Sequence, residues 1–197
     1  MKSIFLLYFA FLNLSAFAQE HSYELNTVKQ ASTIGKAPFD FYGDNAAKKA
    51  ALTGKPLRSF SAIRNGKAFT EKDLRGKIVF INFWFSTCAP CIAEMPDLDQ
   101  LYLKLKGNKK FEFISFCLDP LTVIHASVKK YNIPYEVSYL SEEDCHRLNG
   151  GLGFPTNMIV DEKGNVIAFD RLEKGQPVPS VMDDLYPKIL KELSRLN

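Results

Sequence analysis

Cys88-Ala89-Pro90-Cys91 carries the most pointed chemistry in the chain. Two cysteines this close can be half of a zinc site, a local staple or a thiol–disulfide redox couple. FINFWFSTCAPCIAEMP, residues 80–96, runs from an apolar strand-like stretch into a helix-like one, so the pair falls at a strand-to-helix turn. There Cys88 stands at a helix N-terminus, where unpaired N–H groups and the helix dipole favour a thiolate. Cys88 is expected to be exposed, and Cys91, one turn further, more buried and less acidic. Such a thiolate attacks a substrate disulfide and the second cysteine resolves the mixed disulfide. Pro90 stiffens the turn and removes a competing N–H.

The alternatives are weaker. A tetrahedral zinc site needs two further ligands, usually a second close pair. Cys117 and Cys145 stand singly, His125 is isolated, and His146 has only Cys145 beside it. A disulfide closing so short a loop removes little chain entropy, so stability is a poor reason for it. Redox chemistry is the best reading, given the helix-start placement, and no metal or other cofactor is expected. Cys117, in FEFISFCL, reads as a small core hydrophobe. Cys145 reads as buried; an exposed third thiol and a Cys117–Cys145 disulfide stay open. His125 and His146 have no carboxylate or second histidine at ligand spacing and read as surface or satisfied residues.

The elements that must position the pair follow from hydrophobic periodicity. KIVFINFWF is a nearly continuous β-branched and aromatic run, the pattern of a strand covered on both faces. Ile92, Met95, Leu98, Leu101, Tyr102 and Leu105 have helical spacing, with Pro96 inside and Gly107 as the stop. FEFISFCL is a second buried strand, and a helix is expected from Leu121 to Asn132. YEVSYL is a short strand, and Glu142–Asn149 a short helix closed by Gly150-Gly151. NMIVD and VIAFD flank EKGN as a hairpin, and Val181, Leu185, Ile189, Leu193 and Leu196 mark a last helix interrupted by Pro187. Upstream, Arg64-Asn65-Gly66 separates two short strands, and Glu71–Leu74 forms one helical turn. The alternation predicts an α/β fold, a mixed central sheet with helices on both faces.

The first 18 residues, MKSIFLLYFAFLNLSAFA, have one charge (Lys2), a short apolar run and a small-x-small end, the pattern of a secretory signal peptide. An uncleaved N-terminal membrane anchor is the alternative. Residues 19–53 read as a polar extension, with Asp44 capping a short helix, NAAKKAAL, and 54–197 as the main domain. An exported, periplasmic protein is therefore expected. Its net charge of +3 is spread along the chain with no basic stripe, which argues against nucleic acid. Four cysteines are too few for a disulfide-built scaffold of 197 residues.

NFWFSTCAPCIAEMP, GKPLRSFSAIRNGKAFTEKDLRGK and GFPTNMIVDEKGNVI together resemble the extracytoplasmic thioredoxin-like thiol-disulfide oxidoreductases of the TlpA/ResA type. The resemblance implies a thioredoxin fold with an added N-terminal hairpin and a redox-active Cys88–Cys91 disulfide. It also implies a cis peptide at Phe154-Pro155 facing the cysteines. Trp84, Pro90, Phe154, Pro155 and Thr156 become residues that support the site or contact substrate. The implied direction is reduction of protein disulfides, with apocytochrome c among the candidate clients and a membrane thiol relay as electron donor. A monomer is expected.

Glu94 matches an acidic residue of that family's active-site helix, suited to exchange a proton with Cys91. Without the resemblance it is an ordinary exposed glutamate that the helix dipole favours. Two departures matter. Asn82 stands where many cytoplasmic thioredoxins have a buried Asp; it cannot be a base, which moves that role to Glu94 or water. Thr87 stands where the family often has Trp. Trp84 is retained and reads as partly core and a fluorescence reporter of redox state. The competing readings are a peroxidase on the same fold and a metal-binding module. The first lacks the right spacing and a suggested Arg; the second lacks three-residue cysteine spacing and a histidine beside Pro155.

Overall fold

The computed structural model describes residues 45–64, 67–171 and 180–196. The expected signal segment, most of the extension, the Asp44 cap and the Asn65-Gly66 turn lie outside them. All described residues belong to one compact unit, Phe39–Asn197.

Five strands form the central sheet: β3 (Ile78–Trp84), β4 (Phe111–Cys117), β5 (Val137–Tyr139), β6 (Thr156–Val160) and β7 (Val166–Arg171), in the order β5-β4-β3-β6-β7. β3, β4 and β5 run parallel, whereas β6 is antiparallel to β3 and β7 antiparallel to β6. Every residue of β3 is buried, Asn82 included, as its nearly continuous apolar run requires of a central strand. A separate antiparallel ribbon, β1 (Ser61–Arg64) and β2 (Lys67–Thr70), precedes the sheet. Phe60, just before it, and Phe69 of β2 meet Phe116 of β4 at ring-centroid distances of 5.3 and 6.2 Å. Arg64 and Lys77 bind the two oxygens of Glu112 on β4, fastening the ribbon electrostatically.

The helices are α1 (Asn45–Leu52), α2 (Ala89–Leu105), α3 (Leu121–Tyr131), α4 (Glu142–Asn149), α5 (Val181–Asp184) and α6 (Tyr186–Ser194). The C-terminal apolar stripe is carried by two helices rather than one. They meet at Leu185, and Pro187 falls in the first turn of α6, where its missing N–H costs nothing. α1 lies ahead of residue 54 yet packs on the sheet domain: Leu52 is buried and Lys48 Nζ donates to Gly151 O at 3.0 Å. Gly150 closes α4 at φ +69°, a conformation that favours glycine, and a Cβ there would fall 2.4 Å from Leu52 Cδ1, so that side chain would have to shift. Among the described residues no helix is long and apolar enough to cross a membrane.

Candidate active site

β3 ends at Trp84 and the chain turns through 85–88 into α2. Asp119 holds this turn by accepting from Ser86 N at 2.6 Å. Cys88 is the N-cap of α2: its Sγ accepts from Cys91 N at 3.3 Å, and Pro90 occupies the first turn. A sulfur in that position meets the unpaired N–H groups that favour a thiolate. Cys88 and Cys91 are joined, with S–S 1.94 Å and Cα–Cα 5.2 Å. The expected exposure of Cys88 is not met in this oxidised form. The residue is only 3 % exposed, because its sulfur is turned into the helix cap and bonded to Cys91; the neighbouring Thr87 and Ala89 are exposed instead.

Antiparallel pairing of Phe83 with Thr156 brings the segment before β6 to the same end of the sheet as the cysteines. That segment contains the cis peptide Phe154–Pro155. Phe154 packs edge-on against Phe85 at 5.5 Å and against the His146 ring at 5.6 Å. Thr156 Oγ1 donates to Gly153 O, and Asn149 Nδ2 donates to the same oxygen at 3.1 Å, so the loop's shape is held from inside. Thr156 is completely buried, and Phe154 and Pro155 before it are buried too.

Glu94 is not the exposed helix glutamate that position alone permits. It is 6 % exposed and lies under α2 against the sheet. Asn82 Nδ2 donates to its Oε1 and Asn157 Nδ2 to its Oε2, each at 3.0 Å. Burial pushes Glu94 up to about 8; the two amide hydrogen bonds oppose that, and the charges of Asp170 and Asp97 add to it. Trp84 is not partly exposed but wholly in the core, its Nε1 donating to Ser115 Oγ at 2.9 Å.

Cys117 and Cys145 are free thiols, both fully buried, so neither the disulfide between them nor an exposed third thiol is found. Burial raises both well above the ordinary thiol range. Cys117 Sγ lies 3.4 Å from Asp119 Oδ2, the oxygen that also holds Ser86 N. His146 does have a carboxylate at helical spacing, Glu142, at 3.6 Å; His125 is exposed on α3. Among the described residues no group of three or more His, Cys, Asp or Glu side chains could hold a metal ion. Sequence reasoning missed Asn157, Ser115, Phe85 and Asp119. The available signal for two of them was a polar residue within a strand-like apolar run, Ser115 in β4 as Asn82 is in β3, and Asn157 at the head of its run.

A cysteine pair at a strand-to-helix turn, at the same end of a mixed sheet as a cis-proline loop, defines a thioredoxin-like redox enzyme. The redoxin family model matches residues 52–185. The thiol-disulfide oxidoreductase ResA of Bacillus cereus is 32% identical over 158 residues, covering 79% of this chain and 89% of the relative. The thiol:disulfide interchange protein DsbE of Pseudomonas fluorescens is 29% identical over 126 residues, 62% of this chain and 68% of the relative. Among solved structures, a thiol:disulfide interchange protein of the thioredoxin family from Chlorobium tepidum superposes with TM-score 0.56 at 28% identity, covering 71% of this chain and 97% of that one. The thioredoxin domain of a thiol-disulfide oxidoreductase from Bacteroides vulgatus gives 0.57 at 25%, covering 71% and 96%. The chain belongs to the redoxin family, among the thioredoxin-like thiol-disulfide oxidoreductases of the TlpA/ResA type.

Proposed function

We propose that the protein is exported and reduces disulfides in other extracytoplasmic proteins through the Cys88–Cys91 couple, with Glu94 as proton acceptor and donor. The observation that carries this is Cys88 as the N-cap of α2, bonded to Cys91, with a buried carboxyl one turn beyond. In the dithiol form the Cys88 thiolate attacks one sulfur of the substrate disulfide. A mixed disulfide forms and the first substrate sulfur leaves as a thiolate. Cys91 then passes its proton to the Glu94 carboxylate and attacks Cys88 Sγ, which expels the second substrate thiolate. The substrate has gained two electrons and takes up two protons as its thiolates are protonated; the protein has lost two electrons and holds the disulfide. An external dithiol donor, in an exported protein a membrane thiol relay, restores the pair, and Glu94 returns its proton to Cys91 as that sulfur leaves.

Pro90, Phe154 and Pro155 shape the surface that an extended substrate segment meets, an edge suited to strand addition. Apocytochrome c, which presents paired cysteines to be kept reduced, is a fitting client. The test is reduction of a protein disulfide by the purified chain with dithiothreitol as donor. Loss of turnover in Cys88→Ser is expected, together with a mixed disulfide that accumulates in Cys91→Ser. Turnover that survives Cys88→Ser would refute the assignment.

A further inference from the structure

Four buried polar residues lie side by side across the hydrophobic sheet. In the strand register Ser115 of β4 is opposite Asn82 of β3, Asn82 opposite Asn157 of β6, and Asn157 opposite Asp170 of β7. Directly paired residues project on one face, so the row forms a single polar stripe beneath α2. The flanking Ile81, Phe83, Phe116 and Met158 are wholly buried. A stripe of this kind is costly unless every member finds a partner, so its hydrogen bonds set its orientation.

The order of donors runs one way. The Trp84 indole can only donate, and its Nε1 gives to Ser115 Oγ. The Ser115 hydroxyl is thereby left to donate onward to Asn82 Oδ1 at 3.2 Å. That turns the Asn82 amide nitrogen to the other side, where it donates to Asn157 Oδ1 at 2.9 Å and to Glu94 Oε1 at 3.0 Å. With its oxygen so occupied, Asn157 presents its own nitrogen to Glu94 Oε2 at 3.0 Å. A donor-only group at one end thus fixes both amides with their N–H groups toward the carboxyl.

We propose that Asn82 and Asn157, oriented by Trp84 through Ser115, are positioning residues that keep Glu94 able to lose and regain its proton. The proposal rests on the role given to Glu94 above. Around Glu94 stand Asp170 on β7, Asp97 on its own helix, Tyr135 ahead of β5, and the cysteine pair at the start of α2. Burial and the two acidic neighbours favour the neutral acid; the two amide donors are the groups that favour the carboxylate. A reversed amide would set a carbonyl against the carboxylate and raise Glu94 further, making it a poorer acceptor for the Cys91 proton. When Glu94 is protonated, neither amide offers it an acceptor. The proton therefore occupies a lone pair that the amides leave open and stays exchangeable.

The experiment follows the carboxyl C=O stretch of Glu94 against pH by infrared spectroscopy of the full chain, identified by its absence in Glu94→Gln. It is run on wild type, Ser115→Ala, Ser115→Thr and Asn157→Ala, with mixed-disulfide resolution rates over the same pH range. Asn157→Ala removes one charge-assisted donor, so the midpoint should rise by about one pH unit. Ser115→Ala leaves both contacts to Glu94 in place but frees Asn82 to turn; it should raise the midpoint by roughly half a unit. Ser115→Thr, which keeps the hydroxyl, should restore it. The rate profiles should move with the midpoints. If Asn157→Ala fails to fold, Ser115→Ala, a change of one oxygen, carries the same test. A midpoint unmoved in the folded variants overturns the positioning proposal. A wild-type pH–rate profile in Glu94→Gln overturns the role of Glu94 itself, and the proposal falls with it.

Discussion

Replacing Glu94 with Gln should remove most of the pH dependence of the oxidised protein's stability between pH 5 and 8.5. In the folded chain burial first of all, with the neighbouring Asp170 and Asp97, raises Glu94 from 4.5 to about 8. The folded state therefore binds a proton that the unfolded state has already released in that window. The stabilisation is fully present below the unfolded value and is lost as pH rises through the folded one. At about 1.4 kcal/mol per pH unit, this gap corresponds to a loss of roughly 4 kcal/mol from pH 5 to 8.5. Gln cannot ionise, and its NH2 must face one of the two Asn donors, which costs about 1–3 kcal/mol at every pH. The variant should be the less stable protein near pH 5 and the more stable one near pH 8.5. Urea unfolding followed by far-ultraviolet circular dichroism, without reductant, gives both curves. Curves that stay parallel within about 1 kcal/mol would refute a buried, proton-holding Glu94.

The free thiols give a second prediction: under native conditions a neutral alkylating reagent should label neither Cys117 nor Cys145, while the denatured oxidised chain takes up two labels by intact mass. Native labelling of either would show that its site is open. Phe154→Ala, which deletes a ring packed against both Phe85 and His146, should destabilise the protein by about 3 kcal/mol in chemical denaturation and slow protein-disulfide reduction. A change below about 1 kcal/mol would mean that the ring does not hold the loop. Ser86 N is tied to Asp119 at 2.6 Å, so Asp119→Ala should loosen the turn and lower Cys88 reactivity in the reduced protein, measured by iodoacetamide kinetics; unchanged kinetics would assign Asp119 to the fold alone.

The strand-to-helix placement of the cysteine pair was legible because β3 is apolar at every position but Asn82 and α2 has a regular apolar stripe. Those are local patterns. The cis peptide at Phe154–Pro155 entered only through family resemblance; as bare sequence it is a turn before a strand. Helical spacing set Glu94 one turn beyond Cys91 but left its environment open, because nothing local says which residues of the sheet lie beneath the helix. Asn82 reads in isolation as the absence of a buried base. Its meaning depends on Asn157 and Ser115, brought beside it by strand pairing between segments far apart in the chain. Register is a tertiary fact, and so the polar stripe could not be assembled from periodicity. The broken last helix has a simpler origin: Pro187 is poor inside a helix and good at its start, and the chain takes the second option.

An equilibrium redox titration asks whether Cys88 and Cys91 form a reversible couple that works as a reductant. The purified chain is equilibrated in dithiothreitol and glutathione buffers, quenched by alkylation and resolved by peptide mass. The predicted result is a single two-electron transition confined to Cys88 and Cys91, at the reducing end of the thioredoxin range, roughly −270 mV. A midpoint near the roughly −120 mV of a strong oxidant would reverse the direction of electron flow. A pair that never exchanges, or a transition carried by Cys117 and Cys145, would contradict the claim.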